Sequence, residues 1–222
     1  MKKLIIIGIG ETAEIAYEYF TRDSDYQVMG FSVDACYKTK KTFCSLPVES
    51  FEHVEKKYPI DQYSAFIAAG SGKLNSIRQS LYKQTKNKGY TIASYVSSNA
   101  FVWHNVIIGE NCFVFENNTL QPNVVIGNNV TIWSGNHIGH RTNVMDNCFI
   151  SSHVVVSGFC EIGCNTFIGV NASFADNIKV ADNNFIAMGS VVTKNTSENS
   201  VYRGNPAKRM RISAKKLCGI RS

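Results

Sequence analysis

The sequence predicts an α/β N-terminal domain followed by an all-β parallel β-helix, and two observations carry that expectation. From Val96 to Val192 every sixth residue is apolar for seventeen steps, running through Val102, Ile108, Val114, Leu120, Ile126 and onward without a break. At roughly 45% apolar usage, such a run has odds on the order of one in a million. The second observation lies at the other end, where KLIII (3–7) is followed at once by GIGETAEIAYEYF, a buried strand, a glycine turn and a helix.

A period of six fits neither a helix, which repeats near 3.6, nor a hairpin sandwich. It fits a solenoid in which each hexad makes one short strand and one turn. Three hexads close a triangular coil, so residues eighteen apart stack along a β ladder. The residue two places before each apolar position is small in most hexads, as at Ser94, Ala100, Cys112, Cys148, Cys160 and Ala172, with Asn118, Asn136, Ile178 and Asn184 as exceptions. No inserted loop is expected between 96 and 192.

The N-terminal stretch has the order of a Rossmann-like unit. Gly8 and Gly10 match the first two glycines of a dinucleotide fingerprint, and Glu14 stands at the third. Such a turn still offers backbone N–H groups to a phosphate, and an ordinary tight turn is the alternative reading. YQVMGFSVD is a second strand ending at Asp34, where a carboxylate reaches a ribose or base. SAFIAAG is a third strand followed by Gly70, and the helix after it is expected to bury Leu74, Ile77 and Leu81. The expected division is 1–93 as a Rossmann-like ligand-binding domain, 94–194 as the β-helix, and 195–222 as a loop and basic cap.

Net charge is +6, and from Ser200 onward there are seven basic residues and no acidic one (Arg203, Lys208, Arg209, Arg211, Lys215, Lys216 and Arg221). A solvated face, a phosphate contact or an acidic membrane surface would account for them, and no nucleic-acid motif accompanies the charge. Seven cysteines is an odd number, and three occupy small-residue positions of the hexads, so they read as packing groups rather than bridges. No apolar run reaches about 18 residues. A protein without stable membrane insertion, in the cytoplasm, is expected.

Four of the five histidines, His104, His137, His140 and His153, lie in the hexads outside the inward positions. His140 follows the inward Ile138 by two residues, and Gly158 stands one coil above it. That places an imidazole beneath a backbone amide expected to be bare, a pairing suited to acyl transfer. The imidazole takes a proton from the nucleophile and the amide holds the oxyanion. A surface histidine at a subunit contact is the alternative. Val170 and Met188 form a second outward column, with Ala187 and Gly189 beside it leaving backbone accessible, and Lys194 and the tail arginines are cations suited to phosphates.

The glycine-turn domain leading directly into hexads, the segment GNHIGHRTNVMDNCFISSHVVVSGFCEIG, and the ending YRGNPAKRM resemble bacterial sugar O-/N-acyltransferases of the sialic-acid O-acetyltransferase and bacillosamine or perosamine N-acetyltransferase type. The resemblance implies a left-handed β-helix, a homotrimer, and acetyl-CoA bound between neighbouring prisms. It implies direct acetyl transfer, without a metal, to an amine or hydroxyl of a nucleotide-linked sugar in surface-glycan biosynthesis. His140 then matches the general base and Gly158 the glycine whose amide faces the thioester carbonyl. The expected cofactor contacts are Phe149, Gly158, Val170, Ala187, Met188, Gly189 and Lys194, and the expected substrate contacts are Gly8, Gly10, Glu11, Asp34 and Gly70. In the bacillosamine branch the residue after the base is acidic; here it is Arg141. Two other readings stay open. One is a non-catalytic trimeric scaffold. The other is a zinc enzyme, since the spacing of His104 and His140 resembles gamma-class carbonic anhydrases, although Met145 stands at a ligand position of that family.

Overall fold

A computed structural model describes residues 1–220, so Arg221 of the basic tail lies outside the described residues. The chain divides into two compact units: residues 1–70 with 77–95, and residues 71–76 with 96–222.

The first unit is built on β1 (Lys2–Ile7), α1 (Glu11–Arg22), β2 (Tyr26–Val33), β3 (Thr42–Phe43), β4 (Leu46–Ser50), α2 (Val54–Lys57), β5 (Tyr63–Ile67), α3 (Ser76–Asn87) and β6 (Thr91–Ile92). The sheet order is β3-β4-β2-β1-β5-β6, with β1 pairing in parallel to both β2 and β5. Leu4, Ile5, Ile6 and Ile7 are all buried, as a central strand covered on both faces requires. From α1, Ala13, Ala16 and Phe20 are buried against the sheet. The expectation for α3 is corrected: the buried side chains of the helix are Arg78 and Thr85, while Ile77 is exposed. Leu74 is buried, but it precedes the helix, in a run of three left-handed residues, Lys73, Leu74 and Asn75, that belongs to the second unit.

In the second unit seventeen two-residue strands, β7 (Tyr95–Val96) to β23 (Val191–Val192), follow one another every six residues with no insertion. From β8 to β20 each pairs in parallel with the strand eighteen residues on, as Phe113 does with Thr131 and His137 with Val155. Three sheets result, one per side of the coil. The inward column is buried from Val114 to Val192, and Val96, Val102 and Ile108 at its start are partly buried. The small-residue positions fill the corners. The exceptional asparagines there are also buried, and their amide N–H groups are paired: Asn118 donates to the Phe115 and Ile132 carbonyls, and Asn184 to those of Ala181 and Ser197, while Asn184 Oδ1 has no partner among the described residues. All seven cysteines are free, and the corner thiols of Cys112, Cys148 and Cys160 each donate to a backbone carbonyl, at 3.0, 3.1 and 3.2 Å.

One side of the coil carries the outward rings of Phe149, Phe167 and Phe185, stacked at 5.5 and 4.8 Å. The tail continues this sheet. β24 (Ser200–Arg203) joins it in parallel, and β25 (Lys208–Ser213) turns back antiparallel. A short helix, α4 (Ala214–Leu217), follows, and Ala214 and Val201 pack with Leu74 against Phe167 and Phe185.

Candidate active site

The solenoid positions its side chains through a rule of its turns. The residue three past each inward position has a left-handed backbone, with φ between 53° and 76° from Asn111 through Gly189. Asparagine and glycine hold this conformation at low cost, and larger side chains do not. Asparagine fills nine of these sites (111, 117, 123, 129, 147, 165, 171, 177 and 183) and glycine two (135 and 189). The other three are Arg141, His153 and Phe159, at φ 58°, 58° and 57°. Bulky residues in strained backbone gather where function uses them, and two of the three flank His140 and Gly158 in sequence.

A second rule concerns the residue before, two past the inward position. At several such residues the backbone N–H is capped by the side chain one coil above: Glu110 donates to Asn128 Oδ1 at 2.9 Å, Asn128 to Asp146 Oδ1 at 2.7 Å, and Cys164 to Asp182 Oδ1 at 2.8 Å. At His140 the residue above is Gly158, which has no side chain to cap with. The His140 amide turns instead to Gln121 Oε1 at 2.9 Å, and the same oxygen stands 3.4 Å from His140 Nδ1. The space left by the missing side chain is taken by the imidazole. A Cβ on Gly158 would stand 2.6 Å from His140 Cε1 and 3.0 Å from each ring nitrogen.

Gly158 thus seats the ring, but its amide is not bare. It donates to Asp176 Oδ1 at 3.0 Å, because the capping rule resumes one coil further on. The expected oxyanion donor is therefore already engaged, and the part the geometry gives Gly158 is steric.

The Phe159 ring completes the cluster. His140 meets it edge to face at 5.0 Å between centroids, and the Arg141 guanidinium carbon lies 5.9 Å from its centroid. His140, Arg141 and Phe159 are all exposed. Gln121, Phe159 and Asp176 are the participants that the spacing of the histidines did not suggest. The left-handed register, readable as asparagine every sixth residue, was the signal for Phe159.

The other histidines differ. His153 is seated against the backbone of Gly135, where a Cβ would stand 2.7 Å from its Cε1 and Nδ1, yet among the described residues no hydrogen bond orients its ring. His137 is the outward residue of its strand and half-buried, and the His104 ring lies 5.4 Å from that of Trp103. Among the described residues no group of three His, Cys, Asp or Glu gathers as a metal site would require.

The expected cofactor contacts fall in three places. Val170 and Met188 are exposed and one coil apart, with Ala187 and Gly189 beside them. The amides of Ala187 and Gly189 already donate to Tyr202 and Val170 carbonyls, both within 2.9 Å. Lys194 is exposed but stands on the corner of His140, above Gly158 and Asp176, rather than in the Met188 column. Phe149 is half-buried within the aromatic stack of the first sheet, apart from both columns.

In the α/β unit Gly8, Gly10, Glu11 and Gly70 converge at the carboxyl ends of β1 and β5. A Cβ on Gly8 would stand 2.6 Å from the Ala68 carbonyl oxygen, and one on Gly70 3.6 Å from Thr12 Oγ1. Gly10 caps α1, and Glu11 and Glu14 occupy its first turn, so carboxylates already stand at the helix's positive end. Asp34 follows the neighbouring β2 and is half-buried. The loop after it is pinned by Glu52, which accepts from Ser50 Oγ and from the Ala35 amide at 3.0 Å. Those two bonds, the Ser50 one first, hold the Glu52 carboxyl down at about 2.

Among the described residues no helix is long and apolar enough to cross a membrane. Residues 123–158 and 159–194 match the family model for the bacterial transferase hexapeptide (six repeats). Among solved structures, the acetyltransferase domain of PglB from Neisseria gonorrhoeae is 22% identical, with 95% of this chain and 100% of that chain covered and a TM-score of 0.84. PerB from Caulobacter crescentus, solved in complex with CoA and GDP-perosamine, is 20% identical over 95% of this chain and 98% of that chain, with a TM-score of 0.83. The PglB domain solved with acetyl coenzyme A is 20% identical over 94% and 99%, also at 0.83. The likeness covers both units and shows the fold, an α/β unit followed by a left-handed parallel β-helix of hexapeptide repeats.

Proposed function

We propose that this chain transfers an acetyl group from acetyl-CoA to an amine or hydroxyl of a nucleotide-linked sugar, with His140 as the general base. The carrying observation is the seat of its imidazole: exposed, held against Gly158, and faced at Nδ1 by Gln121 Oε1. Because that oxygen already accepts the His140 backbone N–H, it is the acceptor end of the amide, and the ring nitrogen facing it is the one that carries hydrogen. Nε2 is then left with its lone pair. His140 takes the proton as the acceptor's nitrogen or oxygen bonds to the thioester carbon, and returns it to the sulfur as the carbon–sulfur bond breaks. The products are an amide or ester and the free thiol. Similar folds solved with CoA, acetyl-CoA and GDP-perosamine support this reading.

The exposed Val170 and Met188 column suits the apolar part of the pantetheine arm. Gly8, Gly10, Glu11, Asp34 and Gly70 form the sugar-nucleotide site, where the carboxylates of Glu11 and Asp34 accept from hydroxyl or base N–H donors. The exposed Phe101, Ile107, Val125 and Val155 on the sides of the solenoid are large apolar surfaces of the kind subunits cover, and we propose a homotrimer acting in the cytoplasm on surface-glycan precursors.

Thiol release from acetyl-CoA in the presence of nucleotide-linked amino sugars tests the activity. His140→Ala lowers kcat roughly 100- to 10,000-fold and, being a surface change, alters stability by less than about 0.5 kcal/mol. His137→Ala and His153→Ala are the comparisons, and equal losses in all three would show that no one histidine is the base.

A further inference from the structure

The residue after the proposed base is a cation, it is forced into a left-handed backbone, and its charge is unanswered. Arg141 has φ 58°, a position where asparagine stands in nine other turns, so the fold alone does not ask for arginine. Its guanidinium lies over the Phe159 ring at 5.9 Å, and Phe159 is itself held at φ 57°. Two strained residues one coil apart thus build one contact, a guanidinium resting on an aromatic face. Among the described residues Arg141 forms no ion pair, and its donors point to no protein acceptor.

We propose that Arg141, steadied by Phe159, is an anion-binding element for the acceptor, so that the sugar carries a carboxylate or phosphate close to the group that is acylated. The inference rests on the reading of His140 as the base. The Phe159 ring touches both the His140 imidazole and the Arg141 guanidinium, which sets base and cation within reach of one sugar ring. The acyl donor does not supply the anion, since its phosphates are separated from the thioester by the whole pantetheine arm. Charge arithmetic favours the same answer. When His140 takes up the proton it becomes a second cation beside the guanidinium, and like charges at this range repel. An acceptor that brings its own negative charge offsets that repulsion as the transition state forms. A guanidinium fork donates two parallel hydrogen bonds to a carboxylate or phosphate, which also orients the ring.

The test is binding by NMR titration of three probes, glucuronate, glucose 6-phosphate and glucose, to the intact wild-type protein and to two variants. Arg141→Asn removes the charge and keeps the residue type that the turn prefers, and Arg141→Lys keeps the charge without the fork. In the wild type at least one anion is expected to bind roughly 10- to 100-fold more tightly than glucose. Which anion it is distinguishes a uronate-type from a phosphorylated acceptor. In Arg141→Asn that preference falls to near one, and Arg141→Lys retains part of it. Equal affinity for all three probes, no binding of either anion, or a preference unchanged in Arg141→Asn overturns the proposal. A failure of the acyltransfer reading looks different: the anions still bind selectively while no acceptor releases thiol from acetyl-CoA.

Discussion

Two corners of the same solenoid obey and break the same rule. At one, Asn111, Asn129, Asn147, Asn165 and Asn183 occupy every left-handed position, and their side chains pair in two runs: Asn111 donates to Asn129 at 2.7 Å, Asn129 to Asn147 at 2.8 Å, and Asn165 to Asn183 at 3.1 Å, with Asn165 Oδ1 left without a partner among the described residues. At the other, the column runs Asn123, Arg141, Phe159, Asn177, and the neighbouring column places glycine above histidine. The backbone is the same at both corners. The difference is that the first spends its side chains on its own coil and the second turns them outward. In a repeat protein, departures from the repeat point to chemistry more directly than the repeat itself does.

Three substitutions sharpen or break that comparison. Gly158→Ala has the largest expected effect. Its Cβ would meet the His140 ring at 2.6 Å and displace it, lowering kcat on the order of 100-fold, while the Gly158 amide keeps its bond to Asp176. An unchanged kcat in steady-state assays would remove the steric role assigned to this glycine. Asn147→Ala comes next. It removes the acceptor of the Asn129 side chain and puts alanine in a left-handed backbone, costing roughly 1–3 kcal/mol in a denaturant melt and leaving kcat within about twofold of wild type, since nothing at the other corner moves. The smallest effect comes from Phe159→Asn, which restores the rule at the second corner. Relief of the left-handed strain stabilises the fold by about 1 kcal/mol, and loss of the ring under Arg141 and beside His140 lowers kcat/KM roughly two- to fivefold. A variant both less stable and fully active would reverse the meaning given to the departure.

Much of the fold was legible because a six-residue period admits few structures. The inward residues named from spacing, from Val114 to Val192, are the buried column, and the strands follow one per hexad. The spacing that put Gly158 above His140 was equally legible, since stacking depends only on the coil length. What the Gly158 amide does was not. The bond to Asp176 runs between side chain and backbone one coil apart, and no apolar period encodes it. Gln121 was hidden for a related reason: it serves His140 from a turn nineteen residues earlier, outside the strict register of the ladder. In the α/β unit, apolar spacing assigned Leu74 and Ile77 to one helix face. Leu74 stands in a run of three left-handed residues that ends before the helix begins, and the buried members of the helix are Thr85 and Arg78, whose Nε donates to the Ile67 carbonyl at 3.4 Å. A polar side chain satisfied by backbone carries no hydropathy signal. The stacking of Phe149 on Phe167 one coil on follows from the same eighteen-residue register.

The antiparallel return of β25 on β24 gives the stack a last page. A coil of parallel strands offers at its end the same hydrogen-bonding edge that each coil offers the next, and such an edge invites another chain to continue it. Here β24 extends the aromatic sheet in its own direction and β25 runs the other way, carrying Lys208, Arg209 and Arg211 as exposed side chains. A second molecule that approached this edge would meet strands of the wrong sense and a row of like charges. The like charges of Lys208, Arg209 and Arg211 oppose, by repulsion, the approach of a second copy to this one edge.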